Sequence, residues 1–263
     1  MASEIQDRPG ILQAPFGLPS NPRRSRERAS SIASRPTIGR LEIMLKRQIF
    51  IALSGAAALL VGLVSPATAD DPAVKITADI ASVDVMHGGE RVTVMRNQDE
   101  ANTVIDAFAK TSRKCPPFCI QPSSLAPGVE TIGEVEILDY AKRMSDGDDS
   151  IVVIDSRTPD WVERGTIPGA INVPWTSLSP ARGADPISIV DILEEVFGVQ
   201  SNEGLLDFSQ AKTAVLFCNG MWCGQSPANI RTLLRFGYPA DRIKWYRGGM
   251  QNWEILGLTT VKP

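Results

Sequence analysis

From about residue 128 onward, short apolar runs alternate with stretches of helical period. Ser150-Ile151-Val152-Val153-Ile154 and Thr213-Ala214-Val215-Leu216-Phe217 are unbroken apolar runs of strand length, the pattern of a strand covered on both faces. Ala170-Ile171-Asn172-Val173 and residues 243–246 predict two shorter strands. Residues 134–144, 187–197, 226–236 and 250–256 carry apolar positions at helical spacing, and Gly198, Gly237 and Gly257 end the last three. Ser226 is expected to cap its helix with Pro227 at the first helical position, and Arg247-Gly248-Gly249 to form a turn. This alternation predicts an α/β domain, a mainly parallel sheet flanked by helices, over residues 128–263. Tyr246 and Trp253 fall on its core positions, and no internal repeat is visible.

Residues 70–127 read differently. Ser82-Val83-Asp84-Val85-Met86 and Arg91-Val92-Thr93-Val94-Met95 alternate with a period of two around His87-Gly88-Gly89, which predicts a β-hairpin with His87 at its turn. Asn97 or Asp99 can cap a following helix with Ala101, Val104, Ile105 and Phe108 on one face. Cys115-Pro116-Pro117-Phe118-Cys119 comes next, too rich in proline for regular structure. A hairpin and a helix make a weak domain alone, so this small extension is expected to pack on the α/β domain after it.

Before residue 70 the character changes again. Residues 1–43 are rich in Pro, Ser and Arg and have no sustained apolar period, the composition of a disordered extension; an upstream start codon would account for it. Met44-Leu45-Lys46-Arg47 then opens a 16-residue uncharged run from Ile49 to Val64, followed by Ser65-Pro66 and Ala67-Thr68-Ala69. Basic start, apolar run and small-x-small motif are the order of a signal peptide over residues 44–69, cut after Ala69. The run is short of the ~20 residues that span a bilayer. A periplasmic or secreted location is therefore expected, with no membrane attachment after cleavage.

Composition bears on this picture mainly through where the charges lie. The 263 residues hold 27 basic and 30 acidic side chains, one histidine and four cysteines. Nine of the basic and four of the acidic side chains precede residue 70, so the 194 residues beyond carry 18 and 26, a net charge near −8. Such a surface argues against a nucleic-acid partner, and a single histidine excludes a histidine-rich metal site. All four cysteines fall in the part expected to be exported, where disulfides are allowed.

In an open parallel sheet, sites form at the carboxyl ends of strands. Two segments end there in polar residues: Asp155-Ser156-Arg157, and Cys218-Asn219-Gly220-Met221-Trp222-Cys223-Gly224-Gln225 ahead of the helix at Ser226. Inward-turned loop amides and a helix N-terminus both favour a thiolate, so the Cys218 pKa is expected below the free value of ~8.5. The arrangement suits a sulfur nucleophile and a bound anion, although a free cysteine can also be a small apolar residue finishing a strand.

At this point the chain resembles the rhodanese family. The residues that carry the resemblance are Val152-Val153-Ile154-Asp155-Ser156-Arg157, Gly165-Thr166-Ile167-Pro168-Gly169-Ala170-Ile171-Asn172-Val173-Pro174, the Cys218 strand–loop–helix, and Arg247-Gly248-Gly249-Met250-Gln251-Asn252-Trp253 with Gly257. The resemblance implies a single rhodanese-like domain in which Cys218 takes up sulfane sulfur as a persulfide and passes it to a nucleophilic acceptor. It also implies that the amides of Asn219, Gly220, Met221, Trp222, Gly224 and Gln225 cradle that sulfur, with Asp155, Arg157 and Ser226 in support. Three departures stand out. Thr166 occupies a place where the family usually has histidine, the loop is longer than in short-loop sulfurtransferases, and it holds no Lys or Arg, which argues against thiosulfate as the donor. The related phosphatases need an arginine six residues after the cysteine, where this chain has Gly224.

Cys223 can act as a resolving thiol toward Cys218 or be an incidental loop residue. Cys115 and Cys119 can pair with each other, pair with the loop cysteines, or stay apart, and three intervening residues make a tight disulfide ring. A zinc site on all four cysteines has the wrong spacing for the usual knuckle, so no metal and no cofactor is expected. Trp222 can meet a partner or pack over the loop. The leading reading is an exported sulfurtransferase serving a small sulfur donor and a thiol acceptor, the acceptor being a small molecule or an exported protein. A thiol–disulfide protein using Cys218 and Cys223, and a non-catalytic binding module of the same fold, are the alternatives.

Overall fold

A computed structural model describes residues 72–263 apart from residue 203. The extension at residues 1–43 and the signal at residues 44–69 lie outside the described residues. In chain order the elements are β1 (Ser82–His87), β2 (Glu90–Met95), α1 (Asp106–Ala109), β3 (Glu130–Ile132), α2 (Glu134–Ser145), β4 (Ile151–Asp155), α3 (Pro159–Val162) and β5 (Ile171–Asn172). They continue with α4 (Pro186–Glu195), β6 (Gln200–Asn202), β7 (Leu205–Asp207), β8 (Thr213–Phe217), α5 (Gln225–Phe236), β9 (Ile243–Tyr246) and α6 (Gly249–Ile255). No helix among the described residues is long and apolar enough to cross a membrane.

A five-stranded parallel sheet, in the order β3-β9-β8-β4-β5, organises the molecule. Its central strands are apolar throughout because both faces are covered, and successive side chains feed opposite cores. Val153, Val215, Phe217 and Tyr246 point to one face, packed with Ile137 and Leu138 of α2 and with Met250 and Trp253 of α6. Val152, Ile154, Ala214, Leu216 and Trp245 point to the other, against Ile189 and Leu193 of α4 and Ile230 and Leu233 of α5. The pairing of Asp155 with Phe217 ends β4 and β8 level, which sets Ser156 beside Cys218 at the carboxyl edge of the sheet.

The hairpin forms as its alternation implies, with Gly88 and Gly89 both at positive φ in a two-residue turn. Val85 and Val94 enter the same core as Phe108, Ile137 and Trp253, so the extension shares its apolar face with the sheet domain. His87 ends β1 paired with Glu90, and its Nδ1 accepts from the Gly169 amide at 3.2 Å.

Three local expectations are corrected. The segment after Asn97 is not a full helix: α1 spans four residues and starts after Ile105. Asn97 and Asp99 do accept from backbone amides, but from those two residues on (Asp99 and Ala101), closing tight turns rather than capping a helix. Ser226 is not the N-cap of α5 and Pro227 is not its first residue; the helix begins at Gln225 after Gly224. The Ser226 hydroxyl is directed into the active loop instead. Residues 187–197 also shift, to Pro186–Glu195, where the Asp185 carboxylate caps by accepting from the Ser188 amide.

Candidate active site

Cys218 follows β8 directly, and the loop from Asn219 to Gly224 returns to α5 over the end of the sheet. Cys218 and Cys223 are both free thiols and both buried. The Ser226 hydroxyl donates to Cys218 Sγ at 3.1 Å, while its oxygen accepts from Trp245 Nε1 at 3.1 Å, which fixes the hydroxyl proton toward the sulfur. Cys218 Sγ also lies 3.6 Å from the Cys223 carbonyl oxygen.

These contacts set the acidity of the pair. Burial works against the Cys218 thiolate, but hydrogen bonds from the Cys223 thiol, the Ser226 hydroxyl and the Ser226 and Gly220 amides outweigh it and bring the pKa down to about 7. Burial pushes the Cys223 thiol well up, and its bond to the Cys218 thiolate and that thiolate's charge push it further. Of the two, Cys218 is the more acidic thiol, and Cys223 stays protonated at neutral pH. Among the loop amides, those of Gly220 and Ser226 favour the Cys218 thiolate, and those of Asn219 and Gln225 the Cys223 sulfur.

Replacing Cys223 by Ala removes the side chain that lowers the Cys218 pKa most, so the midpoint of Cys218 alkylation by iodoacetamide is expected to move up from about 7 toward the ordinary thiol range of about 8.5. At pH 7 the alkylation rate should fall several-fold, as the thiolate fraction does. An unchanged midpoint would show that Cys223 has no such effect.

Gly249 joins this loop to α6. At φ +55°, its missing side chain lets the Cys218 carbonyl approach the α6 N-terminus, where the Met250 amide donates to Cys218 O at 2.9 Å and the Gln251 amide to Asn219 O at 3.0 Å.

Asp155 and Arg157 have a different task. Both side chains are completely buried, and Asp155 accepts from Arg157 Nε at 2.9 Å and Nη2 at 2.6 Å and from the Thr166 hydroxyl at 2.7 Å. Arg157 also donates to the carbonyls of Trp161 and Gly165. Every strong group of the pair is used in fastening the loop after α3 to the end of β4, and none reaches a cysteine.

Over the loop lies the Cys115–Cys119 segment, whose two cysteines are joined in a disulfide with Cα atoms 4.7 Å apart. Phe118 meets Trp222 edge-on at 5.6 Å, the Gln121 amide donates to the Met221 carbonyl at 2.8 Å, and Arg247 donates to the carbonyls of Gln121 and Pro122. Trp222 is thereby held in the structure: Arg113 lies 4.0 Å over its ring and its Nε1 donates to Gln251 at 2.6 Å. Beside Cys223 opens a cavity of about 380 Å³ that Trp161, Trp175 and Arg182 help to line. Sequence reasoning missed these three, which come from separate segments and share no local period. A larger cavity of about 550 Å³, between β1 and α2, is edged by Asp84, Arg91 and Lys142 and holds no thiol. Among the described residues no cluster of three or more His, Cys, Asp or Glu could hold a metal ion.

Residues 138–256 match the model of the rhodanese-like domain family. The chain carries a rhodanese-like domain. That match begins inside α2 and ends after α6, so the Cys218 loop and four strands of the parallel sheet fall within it, while the hairpin and β3 precede it. Among similar solved structures, a human single-domain sulfurtransferase shares 18% identity over 48% of this chain and 95% of its own, with a TM-score of 0.32. The rhodanese-like domain of an Anabaena protein shares 15% over 52% of this chain and 81% of its own, at 0.33. A rhodanese-related protein from Thermoplasma volcanium shares 20% over 51% and 99%, at 0.29. No curated protein matches the chain.

Proposed function

We propose that the protein is a sulfurtransferase, exported after cleavage behind Ala69, that carries sulfane sulfur on Cys218. The observation behind this reading is the buried Cys218 sulfur at the end of a central strand, to which the Trp245-steered Ser226 hydroxyl donates at 3.1 Å, with surroundings that lower its pKa to about 7. In the forward step the Cys218 thiolate attacks the outer sulfur of the donor, the bond between that sulfur and the donor breaks, and the donor leaves with the electron pair. The persulfide left on Cys218 is anionic, and the Ser226 hydroxyl and the Gly220 and Ser226 amides are placed to hold its charge. An acceptor thiolate then attacks the terminal sulfur, and Cys218 departs as the thiolate its surroundings already favour. Sulfide release from a sulfane donor in the presence of a small thiol tests the cycle: wild type should turn over and Cys218→Ser should not.

A second reading is favoured by the nearness of the two buried free thiols, with Cys218 Sγ 3.6 Å from the Cys223 carbonyl oxygen. If Cys223 attacks the Cys218 persulfide, the products are a Cys218–Cys223 disulfide and hydrogen sulfide, and an external dithiol must reduce the disulfide before the next cycle. On this reading Cys223→Ser still loads sulfur but stops forming the internal disulfide, seen as the absence of a loss of about 2 Da in the intact mass.

A further inference from the structure

Cys218 is 2% exposed, and the cavity near it is lined by Cys223 but not by Cys218. A thiol exchanges only with what can reach it, so the loop must be uncovered before this sulfur reacts. Over the loop lies a strap, residues 113–122. Arg113 sits 4.0 Å over the Trp222 ring, and Phe118 meets that ring edge-on. The Gln121 amide donates to the Met221 carbonyl, and the Gln121 side chain donates to the Cys119 carbonyl at 3.0 Å. One residue thus ties the disulfide to the loop. Yet the strap is thinly anchored. None of residues 114–122 is buried, and Ile120 is 78% exposed. A segment with so few apolar contacts is among the first parts of a fold to open. The ring closed by Cys115–Cys119 limits the shapes the lifted strap can take and so favours its seated form. The outer pair is also the reachable one. Cys115 is exposed, Cys119 is half-buried and the two are oxidised, whereas Cys218 and Cys223 are buried and reduced.

We propose that Cys115–Cys119 is a second thiol–disulfide exchange site, whose partner is an external dithiol and whose oxidation state sets access to Cys218. Oxidised, it keeps the strap seated on Trp222, and reagents reach Cys218 only through transient opening. Reduced, it lets the strap lift. The step balances. One thiolate of the dithiol bonds to a sulfur of the disulfide, the Cys115–Cys119 bond breaks, and the displaced thiolate takes a proton. The second thiol of the dithiol then displaces the sulfur held in the mixed disulfide, which takes a proton in turn. Two electrons and two protons pass to the protein, and the dithiol leaves as its disulfide. The site governs access to Cys218 whatever Cys218 transfers, so it stands apart from the sulfur-carrier reading.

The test is made on Cys223→Ser, in which no Cys218–Cys223 disulfide can form. Three forms are compared: disulfide intact, reduced with dithiothreitol and then freed of it, and carrying Cys115→Ser with Cys119→Ser. The plateau rate of Cys218 alkylation by iodoacetamide at high pH, located by peptide mass, is the readout. It should be at least about tenfold higher in the second and third forms than in the first, and dithiothreitol should add nothing to the third. Amide hydrogen exchange separates local opening from unfolding. On reduction the Gln121 amide should lose protection while the amides of β8 keep theirs. Equal alkylation in the three forms overturns the proposal. So does a rise that comes with lost protection in β8, since the disulfide would then support the fold rather than close the loop.

Discussion

Arg157→Ala should lower the stability of the domain by about 3–5 kcal/mol, the usual effect of removing one partner from a buried ion pair. The variant leaves the Asp155 carboxylate, about 1% exposed, with only the Thr166 hydroxyl and the Arg157 backbone amide as hydrogen-bond donors. The Trp161 and Gly165 carbonyls lose their guanidinium donor as well. Against a typical total of roughly 5–15 kcal/mol this is a large share, so the urea midpoint should drop sharply with little change in m value. Converting the pair together to Leu should cost less than either single change, since no charge is then stranded. What folds of Arg157→Ala should still load sulfur, because the pair touches neither cysteine. A variant of normal stability that fails to load would instead place Arg157 in the chemistry.

Gly249→Ala is expected to cripple loading while leaving most of the sheet intact. A Cβ at this position would overlap the Cys218 carbonyl and sit 2.8 Å from the Gly220 nitrogen, and both are backbone atoms that no side-chain rotation can move away. The positive φ adds roughly 1–2 kcal/mol of its own. Relief requires the loop to shift from the α6 N-terminus, which displaces the Gly220 amide from the sulfur. A misplacement of about 1 Å at a reacting centre can lower a rate on the order of 10²-fold, and a fall of that size in single-turnover sulfur loading is the expected result. Gly183→Ala is the control, with φ +89° but no atom within 4 Å of the added Cβ. If both variants load sulfur at the wild-type rate, the close approach at Gly249 does not govern the loop.

The sheet was legible because its signal is local. Val152 to Ile154 and Ala214 to Phe217 are apolar at every position, and their strand length and β-branched content mark strands covered on both faces. Gly88-Gly89 announced the hairpin by the same kind of short-range rule. The helix expected after Asn97 failed because the spacing of Val104, Ile105 and Phe108 reflects docking of an irregular segment, with Phe108 in the core and Ile105 exposed. Three-residue strands such as β3 and β6 are too short to show a period, so neither was foreseen. At the site, Cys218 was readable from its place between a strand and a helix. Ser226 was read as a cap because serine is a common one; in the structure its hydroxyl serves the sulfur and is steered by Trp245, nineteen residues further on. Phe118, Trp161, Trp175 and Arg182 meet only through the fold, and nothing in their local sequence marks a shared cavity.

The central claim is that Cys218 bears the transferred sulfur, and intact mass after brief exposure to a sulfane donor tests it most directly. Wild type and Cys223→Ser should each gain one sulfur atom, about 32 Da, that a thiol removes, and Cys218→Ser should gain none. A full gain on Cys218→Ser, or a gain lost only with Cys223→Ser, would contradict the account.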